Sequence, residues 1–187
     1  MAAVLLLAGT LGACRTPKQP AAAPSALSVS TLTLDSPAFE AGAIIPRTHT
    51  CQGKDIAPEL RWSGLPEGTQ SLVLIMDDPD GPSPENPRFT FVHWVVYDLP
   101  ATAGGLPEAV RSRDLPEGSR VAPNDFGLRR YNGPCPPQGR HRYIFKLYAL
   151  DTTLGALPFA ANDGVLAAME GHVLDRTELI GRFQRGD

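Results

Sequence analysis

The sequence holds none of the short motifs that mark the common enzyme classes: no Gly-x-Ser-x-Gly elbow, no His-Glu-x-x-His pair and no Walker-type phosphate loop. This counts against covalent hydrolysis, zinc chemistry and nucleotide turnover. An excess of positive charge is missing too, since 17 Lys and Arg stand against 20 Asp and Glu for a formal net charge of −3. Without a basic field, nucleic acid is not an expected partner. No apolar run is long enough to cross a bilayer as a mature helix, and no segment repeats with the period of a solenoid or propeller. Cysteine is scarce as well, with three in 187 residues.

What is plentiful is the punctuation of turns, 18 Gly and 19 Pro, in a chain that is 42% hydrophobic and 7% aromatic. This balance gives one domain with a real core and many loops, a β protein rather than a helical bundle. The N-terminus stands apart. Ala2–Gly9 is a short apolar run, and Leu11-Gly12-Ala13-Cys14 closes it with small residues before a cysteine. That order resembles the lipobox of bacterial lipoproteins, where the signal is cut before the cysteine and the thiol is lipidated. One departure is that no Lys or Arg precedes the run. The bland alternative is an apolar N-terminus with no such role. As a lipoprotein, residues 1–13 are a signal peptide, Cys14 carries lipid, 14–26 form a Pro/Ala-rich tether and 27–187 the folded domain. The expected location is then the bacterial cell envelope, anchored to a membrane and facing the periplasm or exterior. Cys51 and Cys135 remain. In an exported protein they either pair or persist as two buried thiols, and sequence leaves both open.

Hydrophobic periodicity predicts about seven or eight strands and one helix. An edge strand is expected over Leu27–Leu34, short strands at Ile44-Ile45-Pro46 and Glu59–Trp62, and a strand buried on both faces, hence central, over Ser71–Asp78. The prolines of Pro79–Pro87 are expected to end it. Phe89–Asp98 follows, with Phe91, His93, Val95 and Tyr97 on one face and Val92, Trp94 and Val96 on the other. About 40 loop residues lead to Gly139, a length that marks function or disorder; Asn124-Asp125-Phe126-Gly127 argues for an ordered surface loop, and Arg129-Arg130 for a solvated basic pair. His141–Leu150 is a strand, Asn162-Asp163 caps a helix with Leu166, Met169 and Val173 on one face, and Thr177, Leu179, Gly181 and Phe183 alternate in a last strand. The sum is a mainly β, antiparallel β-sandwich of Greek-key type with one helix near the C-terminus.

Gly133-Pro134-Cys135-Pro136-Pro137 is a rigid run feeding a strand in which His141 and Tyr143 share a face with Phe145 and Leu147. Two polar aromatics above an apolar row read as the mouth of a pocket. Each member has an ordinary alternative: His93 a satisfied core histidine, Tyr143 a core residue, Asp78 a turn cap. Taken together, Asp78-Pro79-Asp80-Gly81-Pro82, His93-Trp94-Val95-Val96 and the Gly133–Tyr143 stretch resemble the phosphatidylethanolamine-binding protein family in its bacterial, Raf-kinase-inhibitor-like branch. Cys51-Gln52-Gly53, Trp62-Ser63-Gly64 and Glu170-Gly171-His172 extend the likeness over Leu34–Phe183.

The resemblance implies a β-fold with a small anion pocket lined by Asp78, His93, Pro137, His141 and Tyr143, taking phosphate, a phosphorylated small molecule or a phospholipid head group. Imidazole and phenol suit that task because they donate directional hydrogen bonds to an oxyanion. Asp80 either joins the pocket or holds the turn by accepting loop N–H groups. His49 and His172 are expected to be structural. No cofactor and no metal are implied. The protein is thus expected to be a non-enzymatic binder; the alternatives are an inhibitor or regulator of a periplasmic protein such as a peptidase, its partner unknown, and a hydrolase using the Asp/His cluster.

Overall fold

The computed structural model describes residues 31–157 and 161–187. The expected signal peptide, Cys14 and tether lie outside the described residues, as does the Leu27–Ser30 part of the first expected strand. Eight strands and one α-helix are formed among the described residues: β1 (Thr33–Asp35), β2 (Leu60–Ser63), β3 (Ser71–Gly81), β4 (Phe89–Pro100), β5 (Gly105–Leu106), β6 (Arg120–Val121), β7 (His141–Leu150), α1 (Asn162–Met169) and β8 (Val173–Phe183). They make two antiparallel sheets, one in the order β1-β2-β5 and one in the order β6-β4-β3-β7-β8. Ile44 makes a single parallel bridge to Arg182 where a short strand was expected.

β3 is the middle strand, and its first eight residues are all buried, as its unbroken apolar run requires. Its two faces serve two cores. Leu72, Leu74 and Met76 join Leu34, Trp62, Trp94, Phe145, Leu147 and Phe183 in the larger one, which draws on both sheets. Val73 and Ile75 meet Val95, Tyr97, Val165 and Met169 in the other, which α1 helps to cover. Each such side chain contributes about 1.5–3 kcal/mol by leaving water.

Two expectations about strands fail for one reason, irregular register. Pairing of β3 with β4 shifts between Asp78 and Gly81, while pairing of β3 with β7 stops at Asp77–Ile144. Pro79 therefore sits where no ladder needs its missing N–H, and the strand runs on to Gly81 instead of stopping. A second shift leaves Met76 opposite Trp94 but Asp77 opposite Val92, so His93 is an extra residue in the ladder. The bulge breaks the alternation: His93 packs against Tyr143 of the larger core, whereas Val95 and Tyr97, expected beside it, belong to the smaller one.

The helix also differs in detail. Ala161 occupies the N-cap position without a side-chain bond, and the buried residues are Val165 and Met169, with Leu166 exposed. Val173 cannot extend that face because the helix ends at Met169 and Gly171, at φ 79°, turns the chain into β8.

Candidate functional site

The end of β3 meets the starts of its antiparallel neighbours β4 and β7, and the three enclose a cavity of about 260 Å³. Asp78 comes from β3, His93 from the bulge of β4 and His141 from the start of β7, with Cys135, Pro136 and Pro137 closing the side. Gly81 and Pro82 form part of the floor. A Cβ at Gly81 would collide with the ring of Phe89, another wall residue, so the approach of the two strands needs glycine there.

His141 is fully buried and bonded at both ring nitrogens, Nδ1 to the Asp78 carboxylate at 2.7 Å and Nε2 to the Gln138 carbonyl at 2.9 Å. Both partners accept, so both bonds form together only when the Asp78–His141 pair holds two exchangeable protons, formally an imidazolium beside a carboxylate. Asp78 also accepts the Asp80 N–H through its other oxygen, at 2.9 Å.

His93 is set differently. Its Nδ1 donates to the Asn132 carbonyl at 2.8 Å, which leaves Nε2 of the neutral ring as a lone pair. Burial holds its pKa below the usual histidine range, against the raising effect of the Asn132 bond and the nearby carboxylates. Asn124 fixes this arrangement: its Nδ2 donates to the carbonyls of His93 and Arg130 and to Asn132 Oδ1, and its Oδ1 accepts from Phe126 and Leu128 N–H. The expected surface loop is thus anchored by a buried asparagine and lays Phe126 against the cavity. Phe91, His93 and Phe126 stack edge to face around the mouth, centroids 4.9–5.6 Å apart.

Tyr143 lies behind the wall rather than in it. Its ring is fully buried, 5.3 Å from that of His93 and 6.5 Å from that of His141, and its hydroxyl lacks a well-formed hydrogen bond. Burial first, and then the charge of Asp78, push its phenol far above the usual range. Asp80 is elsewhere. It is buried beneath Arg142, accepting its backbone N–H at 2.9 Å and its guanidinium at 3.0 and 2.6 Å, and it does not line the cavity. Neither role weighed for Asp80 describes this: its carboxylate accepts no loop N–H and instead ties the end of β3 to Arg142 of β7.

The Arg142 bonds hold the Asp80 carboxyl below the usual carboxylate range. A group so depressed adds stability above its unfolded pKa and loses it as pH falls through the lower folded value. Asp80→Asn is therefore expected to cost about 2 kcal/mol in urea unfolding at neutral pH, a deficit that shrinks in strong acid. A deficit independent of pH would show that the carboxylate charge is not what matters.

Cys51 and Cys135 form a disulfide, Cα atoms 5.4 Å apart, so the thiols left open by the sequence are paired. The bond ties the pocket wall to the loop after Arg47–His49, and the Cys51 N–H reinforces it by donating to Pro134 O at 3.1 Å. His49 is buried with Nδ1 against Ile56 O, and His172 sits on the surface against Asp151. Sequence pattern missed Phe89, Phe126, Asn124 and Asn132. The aromatic Phe126 beside an Asn-Asp turn was the one available signal.

A β-sandwich with a small pocket where three strands end is the build of a binding protein for a small ligand. The sequence model of the phosphatidylethanolamine-binding proteins matches residues 35–184, and the chain belongs to that family. It is 47% identical to a UPF0098 protein of Methanothermobacter thermautotrophicus over 83% of this chain and all of that one. A UPF0098 protein of Aquifex aeolicus is 44% identical, covering 80% of this chain and 86% of its own. Among solved structures, the phosphatidylethanolamine-binding protein homologue CT736 of Chlamydia trachomatis superposes with a TM-score of 0.75 at 35% identity, over 84% of this chain and 99% of its own. Escherichia coli YbcL, described as a new member of the mammalian family, gives 0.72 at 30% identity over 82% and 98%.

Proposed function

We propose that the protein is a non-enzymatic binder whose pocket takes a phosphate group, free or as the head group of a phospholipid. The Asp78–His141 pair carries the reading, because it offers a buried, fixed N–H beside a lone pair on His93 within one small cavity. In binding, a phosphate oxygen replaces Gln138 O as the acceptor of the His141 Nε2 proton. The His93 lone pair then meets a phosphate O–H, or takes a proton and donates to a phosphate oxygen. For a phosphate monoester dianion the complex then holds one proton more than its separate parts, whereas hydrogen phosphate supplies that proton itself. Phe89, Phe91 and Phe126 line the entrance and suit the methylenes or ammonium of an ethanolamine ester. Lipidation at Cys14 would hold this pocket beside membrane head groups.

At about a hundredfold excess over Kd, inorganic phosphate or O-phosphorylethanolamine is expected to raise the melting temperature of the full chain by about 5 °C. His141→Ala abolishes the shift. The dianion of O-phosphorylethanolamine has no O–H, so its complex takes up a proton and its affinity rises as pH falls from 7, levelling off once His93 is protonated in the free protein as well; hydrogen phosphate brings its own O–H and depends less on pH. A larger shift with the ester than with phosphate marks a head-group ligand, and equal shifts mark free phosphate. An unchanged melt across millimolar concentrations of both overturns the proposal.

A further inference from the structure

A second concavity, about 430 Å³, shares no wall residue with the phosphate pocket. Its floor is apolar, made by Ile56, Ala57, Val110 and the ring of Tyr131, and Arg111, Arg113 and Arg130 stand around it. Positive charge is in surplus there. Arg111 and Arg113 both reach the one carboxylate of Asp114, and Arg130 makes no ion pair among the described residues. Asp55, the carboxylate at the groove, is already engaged by the Gly133 N–H at 2.6 Å. In a chain of net charge −3, this is a locally cationic and apolar surface.

The groove is also held open by the fold itself. Asp55 and Ala109, one on each side, adopt φ values of 55° and 58°, the left-handed region that side chains other than glycine enter at a cost. Each is bonded in place, Ala109 by donating its N–H to Ala57 O at 2.9 Å and Asp55 by accepting the Gly133 N–H, and Ser112 Oγ donates to Arg129 O at 2.6 Å. Tyr131 closes the floor by donating its hydroxyl to His49 O at 2.7 Å. A groove fixed in this way loses little freedom when it is filled.

We infer that this groove docks an extended segment of a protein partner in which acidic residues alternate with aliphatic ones. The aliphatic side chains cover the floor and the carboxylates meet the surplus guanidinium groups, whose planar forks match carboxylate geometry. A small inorganic anion would satisfy the arginines and leave the floor wet, and a nucleic acid would need a basic track that this acidic chain lacks. The site is independent of the phosphate pocket and does not rest on it.

The test uses the full chain and three labelled synthetic peptides: one alternating glutamate with leucine, one alternating lysine with leucine, and one alternating glutamate with serine. Fluorescence anisotropy is expected to show saturable binding of the first and binding weaker by about tenfold or more for the other two, a difference of about 1.4 kcal/mol. The double variant Arg113→Glu/Arg130→Glu, both positions being exposed, loses the first peptide while keeping its melting temperature and its response to phosphate. The milder Arg113→Gln/Arg130→Gln pair falls in between. No saturable binding of the glutamate–leucine peptide, equal binding of the lysine–leucine peptide, unchanged affinity in the double variant, or displacement by phosphate would each overturn the inference.

Discussion

Removing the disulfide with Cys51→Ser/Cys135→Ser is expected to cost about 4 kcal/mol of unfolding free energy. The two cysteines are 84 residues apart in sequence, so the bond removes a large loop's worth of freedom from the unfolded chain. It also joins the Cys135 wall, which follows the long loop, to Cys51, which follows the short 3₁₀ turn at Arg47–His49. Urea unfolding of the oxidised wild type, the reduced wild type and the double variant measures it. The reduced protein and the variant should coincide. A loss of under about 1 kcal/mol would mean that the Cys51 N–H bond to Pro134 O and the Gly133 N–H bond to the Asp55 carboxylate already fix the wall, and that the sulfurs add little. If the wall depends on the disulfide, the phosphate response weakens in step with stability.

Asp78→Ala should cost about 3 kcal/mol and abolish phosphate binding. Asp78 is buried and meets two donors at once, the His141 ring and the Asp80 N–H. Alanine leaves the His141 ring without its carboxylate partner and the Asp80 N–H without an acceptor, and this penalty exceeds the loss of one bond. A double-mutant cycle with His141→Ala isolates the effect. The pair should show a coupling energy above about 1 kcal/mol, the double variant being less unstable than the sum of the singles. Additive losses would show that the two residues act separately and that the pocket's charge is not organised around them. Asp80→Asn serves as the control, since it disturbs the same strand end and the Arg142 bonds while leaving the cavity lining unchanged.

Residue types and spacing were enough for the class of the fold. The unbroken run of Ser71–Asp78 needs burial on both faces, and the alternation of His141, Tyr143, Phe145 and Leu147 survives as a single face because β7 pairs in register over nearly its whole length. The family resemblance rested on Asp78–Pro82, His93–Val96 and Gly133–Tyr143. Where sequence periodicity failed, the ladder was irregular. A strand pattern assumes a period of two, and a one-residue bulge at His93 reverses everything on one side of it. The bulge depends on how β3 and β4 meet, and nothing in the local order of Val92-His93-Trp94 announces it.

The same division runs through the pocket stretch. Through the family resemblance, the sequence named Asp78, Asp80, His93, Pro137, His141 and Tyr143 as pocket residues, and Asp78, His93, Pro137 and His141 line the cavity. Tertiary structure alone decided what each of them does. It put Tyr143 behind the wall, gave Asp80 to Arg142, joined Cys51 to Cys135 and, through Asn124 and Asn132, fixed which nitrogen of His93 carries the proton. Most of these outcomes turn on distances of a few ångströms between residues 31 to 84 positions apart in sequence, a separation over which local sequence preference carries no information.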